Sequence, residues 1–313
     1  MGPNNTEAVR VSVVTPLLNQ AAFVEETIDS VKSQDYPWLE HIVVDGGSTD
    51  GSLEILADHG DHLTWISESD AGQAAAINKG FGMASGEILC WLNADDLLAP
   101  GAIRSVVSFF RQHPDASLVY GDAEAIDVSG RSYGRRVNVG PGSLRELVEE
   151  RDFIVQPAAF WRASLWRQVG PLDENLRYVF DYEFWMRVAA ISELHYLPEV
   201  LARERLHSQA KTFEGGDRRT RELEQIAARH GGDGIPRAFR AEAGAGHILK
   251  GLREWTRGRW RLGAAAIRRG VRLSDSLPKL TVFVGTTVLL GPGRVARARL
   301  WSNRWKSRFA TRR

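Results

Sequence analysis

The residues His41-Ile42-Val43-Val44-Asp45-Gly46-Gly47-Ser48-Thr49-Asp50-Gly51-Ser52 decide the fold. A β-branched run ends abruptly at an aspartate, and a turn of Gly, Ser, Thr and Asp follows it. Leu53 and Leu56 then begin a helical spacing. The same grammar recurs on both sides. Upstream, Val11-Ser12-Val13-Val14 stops at Pro16 and Asn19, and Val24, Ile28 and Val31 recur at i, i+4 and i+7. Downstream, residues 63–67 and 88–92 read as strands. Helical stripes follow them, first Ala74, Ile77 and Phe81, then Ile103, Val106, Val107 and Phe110. Strands alternating with amphipathic helices imply an α/β fold, a mostly parallel sheet with helices on both faces. In such sheets ligands sit beyond the carboxyl ends of the strands. Chemistry is therefore expected at Asn19, at Asp45, at residues 68–70 and at residues 93–96.

The pattern then changes. Residues 118–128 and 131–139, split by Ser129-Gly130, read as an antiparallel hairpin. Residues 153–161 are strand-like around Pro157, residues 180–191 are helical, and residues 200–206 are strand-like again. Gly231-Gly232-Asp233-Gly234 is the best linker signal, and arginine-rich helical segments follow it.

At 43% hydrophobic and 25% charged residues the chain is globular rather than disordered. Its single cysteine, Cys90, excludes an internal disulfide and a cysteine-based zinc site. The net charge of +1 conceals an asymmetry. Residues 240–313 carry 18 Lys and Arg against 3 Asp and Glu, a net of +15, whereas the first 239 residues carry 22 against 36, a net of −14. The basic segment calls for an anionic partner. No signal peptide is read at the start, and the apolar run 280–290 is too short to span a bilayer alone. Met1-Gly2 with Thr6, and Asn4-Asn5-Thr6, match bare myristoylation and glycosylation patterns that are common by chance.

The strongest chemical signal is Asn93-Ala94-Asp95-Asp96 at a strand end. Adjacent carboxylates repel each other and lose hydration there, so they call for a cation. Mg²⁺ or Mn²⁺ fits, because a hard ion takes oxygen ligands and keeps positions open for phosphates. The bland reading is that Asp95 and Asp96 cap the helix that begins near Pro100. Gly46-Gly47 and Gly72 lack the G-x-G-x-x-G spacing of a dinucleotide site.

Five pieces stand in register: residues 11–19, residues 44–52, Asp70-Ala71-Gly72 with Ala76-Ile77-Asn78-Lys79-Gly80, residues 93–96, and residues 170–174 with 180–187. Together, over roughly residues 10–210, they resemble a family 2 glycosyltransferase of the GT-A fold. The resemblance implies a sugar-nucleotide site bordered by Thr15, Pro16, Leu17, Asn19, Asp45, Asp70, Gln73, Asn78, Asn93, Ala94 and Asp95. It implies a divalent metal, Mn²⁺ or Mg²⁺, at Asp95 and Asp96, with His207 approaching it. It also implies that Asp181 is the catalytic base of an inverting transfer, with Glu183 or Asp173 next in line. Asn93 stands where the family's first metal-motif acid falls, Gly46 where a second Asp is common, and Phe180 where a Glu usually precedes the base. Trp161, Tyr182 and Trp185 could stack on an acceptor sugar, though such spacing more often marks core.

The expected organisation is a catalytic GT-A domain over residues 1–214 and a basic helical region over 215–313. Expected partners are a nucleoside-diphosphate sugar, a UDP-sugar first, and a saccharide or lipid-linked acceptor, as in envelope or exopolysaccharide synthesis. No nucleic acid is expected. Trp255, Trp260, Trp301 and Trp305 among the arginines, beside run 280–290, suit peripheral contact with an anionic membrane. The expected location is the cytoplasm, with the inner membrane face as the site of such contact. Arg257-Gly258-Arg259-Trp260 lacks the Gln of the processive synthases' Q-x-x-R-W signature, which favours single additions. The alternatives are a nucleotidyltransferase and a catalytically silent scaffold retaining the fold.

Overall fold

The computed structural model describes residues 8–60, 62–136, 139–207 and 216–274. The chain divides into two compact units, residues 1–141 with 153–205, and residues 142–152 with 206–313. The boundary expected at 214/215 lies outside the described residues, as do run 280–290, Trp301, Trp305 and the short patterns of residues 1–6.

The first unit is built on one mixed sheet. Its strands are β1 (Val11–Leu17), β2 (Leu39–Asp45), β3 (Thr64–Ser67), β4 (Ile88–Trp91), β5 (Leu97–Leu98), β6 (Leu118–Ile126), β7 (Ser132–Arg135), β8 (Ala159–Arg162) and β9 (His195–Arg205). They lie in the order β3-β2-β1-β4-β8-β6-β9-β5, with β7 paired on β6. Strands β3, β2, β1 and β4 are mutually parallel, which is the α/β half that the alternation predicts. Strands β8, β7 and β5 run antiparallel to their neighbours, while β6 and β9 pair parallel. The expected hairpin is β6–β7, its turn closed by Asp127, which accepts from the backbone N–H groups of Ser129 and Arg131.

Helices α1 (Val24–Lys32), α2 (Ser52–Asp58), α3 (Gln73–Met83), α4 (Ala102–Gln112), α6 (Ala163–Val169) and α7 (Phe180–Ala189) complete this unit. Side chains alternate across a strand, and β4 distributes its residues accordingly. Ile88 and Cys90 join the core with Val11, Val13, Ile103, Val106 and Phe110. Trp91 points the other way, onto Phe81 of α3 and Phe180, Phe184 and Trp185 of α7. Gly80 lets α3 lie directly on the sheet, since a Cβ there would collide with Val14. Helix α7 ends two residues short of the expected limit at Ile191, which is exposed.

The second unit contains α5 (Leu144–Glu149), α8 (Gly216–Arg229), α9 (Arg237–Thr256) and α10 (Trp260–Leu273), of which α9 and α10 are the arginine-rich helical segments expected beyond the linker signal. Helices α9 and α10 form a hairpin in backbone contact. A Cβ on Gly251 would stand 2.6 Å from the Gly263 carbonyl oxygen, and one on Gly263 would stand 2.7 Å from that of Gly251. Gly270 meets Gly244 in the same way. No described helix is long and apolar enough to cross a membrane.

Candidate active site

Two loops form a ledge beyond the carboxyl ends of β1 and β2. Asn19 turns the first with φ +52°, a left-handed conformation that Asn tolerates better than most residues. Its N–H donates to Ser48 Oγ at 2.7 Å, and its Oδ1 accepts from Thr49 N–H at 2.8 Å. The Ala21 N–H donates to Asp50 at 2.9 Å. Thr15 is buried and its hydroxyl meets His41 Nε2 at 2.9 Å. Burial pushes His41 down to about 3, so this imidazole is neutral.

Asp45 builds this ledge from beneath. Its carboxylate, buried, accepts from the Gly47 and Ser48 N–H groups at 2.9 Å each, from Ser67 Oγ at 2.6 Å and from Ser48 Oγ. Burial alone would raise its pKa, but these hydrogen bonds outweigh burial and hold it below the usual carboxylate range. Asp70 occupies the ground next to Gly46, where a Cβ would stand 3.0 Å from Asp70 Oδ2. Its Oδ1 accepts from the Gly72 N–H at 2.8 Å, at the head of α3.

The acid pair follows β4. Gln73, the first residue of α3, donates to Asn93 Oδ1 at 2.8 Å. The Asn93 amide nitrogen lies 3.1 Å from Asp96 Oδ2 and 3.1 Å from Gln156 Oε1, and Gln156 in turn donates to the Trp91 carbonyl at 2.7 Å. An uncharged residue at position 93 therefore acts as a donor to the carboxylate beside it. Asp96 is buried and also accepts from the Arg205 backbone N–H at 2.9 Å, whereas Asp95 is half-exposed. Burial, with the charges of Asp95 and Glu204 beside it, pushes Asp96 well above the usual carboxylate range, against the opposing N–H donors of Arg205 and Asn93. Neither acid caps a helix: α4 starts at Ala102 behind Gly101.

Arg205, fully buried, fixes this loop from behind. Its Nε donates to the Asp95 carbonyl at 2.9 Å, its Nη1 to the Asp127 and Val128 carbonyls at 3.1 Å each, and its Nη2 to Glu26 at 2.6 Å. Thr27 of α1 adds hydrogen bonds of 2.9 Å to the Ala94 and Asp96 carbonyls. Arg205→Ala should lower unfolding stability by about 3 kcal/mol, because a fully buried side chain is removed and three part-buried carbonyls lose their donor together. Denaturant titration checks this, and a loss below about 1 kcal/mol would show that water replaces the guanidinium.

Asp181 is the second residue of α7, half-exposed, with an oxygen 2.8 Å from the Tyr182 N–H. Glu183, on another face, is buried and gripped by Arg187 Nε at 2.9 and 3.0 Å. Asp173 closes its own loop by accepting from the Asn175 backbone and side chain. Trp91 connects the two acidic regions: it leads into the acid-pair loop, its ring lies 6.3 Å from Phe180, and it stacks on Trp185 at 5.7 Å.

Several expected site residues have partners within the protein. Both ends of the Asn78 amide are taken by the 172–174 loop: its nitrogen donates to the Leu172 carbonyl and to Glu174, and its oxygen accepts the Leu172 N–H. Trp161 and Trp185 are buried in the aromatic core and Tyr182 is buried too, so none offers a face to a sugar. Pro16, Leu17 and Ala94 are buried as well. His207 stands two residues beyond β9, in the second unit. Sequence reasoning missed Arg205, Thr27 and Gln156. Their partners lie 63 to 179 residues away, beyond the reach of any local pattern.

Among the described residues no group of three His, Cys, Asp or Glu side chains is arranged to hold a metal. A carboxylate pair with a strongly destabilised buried member still suits a hard dication that draws its other ligands from phosphate and water.

A mixed α/β sheet with a polar ledge and an acid pair at its strand ends suits a nucleotide ligand, and likeness to known proteins gives the class. Residues 12–167 match the model of glycosyl transferase family 2. The PGL/p-HBAD biosynthesis glycosyltransferase of Mycobacterium tuberculosis H37Ra is 34% identical over 181 residues, covering 56% of this chain and 68% of that protein. An uncharacterized glycosyltransferase of Rickettsia typhi is 29% identical over 221 residues, 66% of this chain and 67% of its own length. In the longer Rickettsia relatives the matched region is 30–36% of the protein. The Staphylococcus aureus TarS 1–349 complex with UDP-GlcNAc superposes with a TM-score of 0.60 at 17% identity, covering 94% of this chain and 89% of that one. The mannosyltransferase PcManGT of Pyrobaculum calidifontis, in complex with GDP-Man and Mn²⁺, gives 0.56 at 23% identity, covering 96% and 86%. This chain belongs to glycosyltransferase family 2 and has the GT-A fold. It is a glycosyltransferase, which sets aside the nucleotidyltransferase alternative.

Proposed function

We propose that the protein transfers one sugar, with inversion at the anomeric carbon, from a nucleoside-diphosphate sugar to a hydroxyl of a saccharide or lipid-linked acceptor in cell-envelope synthesis. The observation that carries this reading is the Trp91 junction, which packs the acid-pair strand against the helix bearing Asp181. A UDP-sugar is the first candidate donor and a GDP-sugar the second, supported by the ligands of the two structural neighbours.

In this reading the nucleoside lies on the ledge of residues 15–19, supported by Asp45 and flanked by Asp70. The diphosphate approaches the head of α3, where backbone N–H groups and the helix dipole favour anions. Gln73 and Asn93 orient it as neutral hydrogen-bonding groups. Asp95 and Asp96 would hold Mn²⁺ or Mg²⁺, which supplies neutralisation of the charge on the departing diphosphate. Asp181 takes the proton from the acceptor hydroxyl as the new bond forms on the face opposite the leaving group. The transition state has oxocarbenium character, so a nearby carboxylate also favours it electrostatically.

The basic C-terminal segment supports peripheral attachment to the cytoplasmic face of an anionic membrane, where lipid-linked acceptors are found. The test of the reaction is a thermal-shift screen of nucleotide sugars with and without Mn²⁺, followed by assay of released nucleoside diphosphate. One donor should raise the melting temperature in the presence of Mn²⁺ and be slowly hydrolysed. If no donor shifts the melting temperature and none is consumed, the proposed transfer from a nucleoside-diphosphate sugar fails.

A further inference from the structure

We propose that the tip of the α9–α10 hairpin is the surface that seats this protein on an anionic lipid bilayer. The inference rests on the membrane attachment proposed above and names the residues that make it. Trp255 is 54% exposed at the end of α9, and Trp260 and Leu262 are 58% and 60% exposed at the start of α10. Leu252 adds a fourth exposed apolar side chain one turn back. Large apolar groups clustered on a solvent-facing turn mark a contact surface.

Charge identifies the occupant. From Arg237 to Leu273 there are ten Lys and Arg against two Glu, a net of +8. Both glutamates are already paired, Glu254 with Arg257 and Arg259, and Glu242 with Arg219. Arg261, Arg268 and Arg272 recur at i, i+7 and i+11, so they share one face of α10, and all three are exposed. Among the described residues neither Arg268 nor Arg272 has an ion-pair partner, while Arg269 beside them pairs with Glu224. The Arg261 guanidinium sits 5.0 Å over the Trp260 ring. A row of unpaired arginines running back from a tryptophan-tipped turn complements a headgroup layer: phosphates meet the row, and the indoles settle at the acyl boundary. The glycine contacts between α9 and α10 hold the two helices together, so that both parts engage at once.

The test is co-sedimentation of the full-length protein with phosphatidylglycerol/phosphatidylcholine vesicles, and with phosphatidylcholine alone, at low and high salt. Arg261→Gln/Arg268→Gln/Arg272→Gln should weaken binding to anionic vesicles by about 10²-fold at low salt and flatten its salt dependence. Trp255→Ser/Trp260→Ser should weaken binding by about tenfold or more at both salts, through lost apolar burial. Arg10→Gln/Arg104→Gln, far from the tip in sequence, should bind as the unaltered protein does. If the unaltered protein binds and both tip variants bind equally well, the tip is not the seat, although membrane attachment stands. If the unaltered protein stays in the supernatant at both salts, attachment itself fails and the tip proposal falls with it. Displacement from vesicles by an oligonucleotide that the tip variants no longer bind would overturn the lipid assignment in favour of nucleic acid. Tip variants that dissociate an oligomer on size exclusion, with vesicle binding unchanged, would reassign the face to a protein contact.

Discussion

Asp181→Asn should lower turnover by about 10²–10⁴-fold while leaving donor affinity nearly unchanged, because the amide keeps the shape but cannot accept the acceptor's proton. Position favours this residue over its neighbours. Glu183 is gripped by Arg187 through both carboxylate oxygens, and Asp173 is used to close a loop. Asp181 instead begins a helix whose Phe180 and Trp185 contact the strand leading to the acid pair. Steady-state kinetics together with donor titration separate the two effects. Near-normal turnover in Asp181→Asn would remove it as the base.

Replacing both Asp95 and Asp96 by Ala should abolish the Mn²⁺-dependent part of nucleotide binding and cost about 10²–10³-fold in turnover, through lost electrostatic stabilisation of the leaving group. Unchanged affinity and activity would take the metal out of the mechanism. Asp96 adds a stability signature in metal-free protein. Its folded pKa is raised, first by burial and then by Asp95 and Glu204, so the folded state holds its proton more tightly than the unfolded chain does. Its contribution to stability is therefore lost as pH rises from the ordinary carboxylate range through the raised value. Asp96→Asn should flatten that decline and raise the melting temperature of the metal-free protein at neutral pH. A lower melting temperature across the whole range would mean that the packing role of Asp96 outweighs its charge.

The parallel half of the sheet was legible because each of its strands is a short β-branched run with a polar stop, and each following helix carries its own stripe. Val11, Val44 and Ile88 are buried where that pattern puts them. Beyond residue 117 the signal weakened for a topological reason. Strand β9 pairs with both β6 and β5, so its partners lie far away in sequence, and β5 is only two residues long. The acid pair could be found from local chemistry, but the way it is held could not. Arg205 reaches Glu26 across 179 residues, and nothing around Arg205 in the sequence announces a buried guanidinium. Asp45 and Asn78 illustrate the converse. Both are polar residues in expected positions, yet their hydrogen bonds run into the scaffold. Sequence can nominate a polar group, but only geometry reveals which way its lone pairs are spent.

Inverting transfer is the central claim, and it is tested most directly by the anomeric configuration of the first-formed product. Proton NMR of the sugar released to water or placed on an added acceptor, recorded before mutarotation, reads that configuration from the anomeric coupling. An α-linked donor should give a β product, in line with a single displacement assisted by Asp181. An α product would contradict the account, since retention requires chemistry on the donor's own face that a base positioned for the acceptor does not supply.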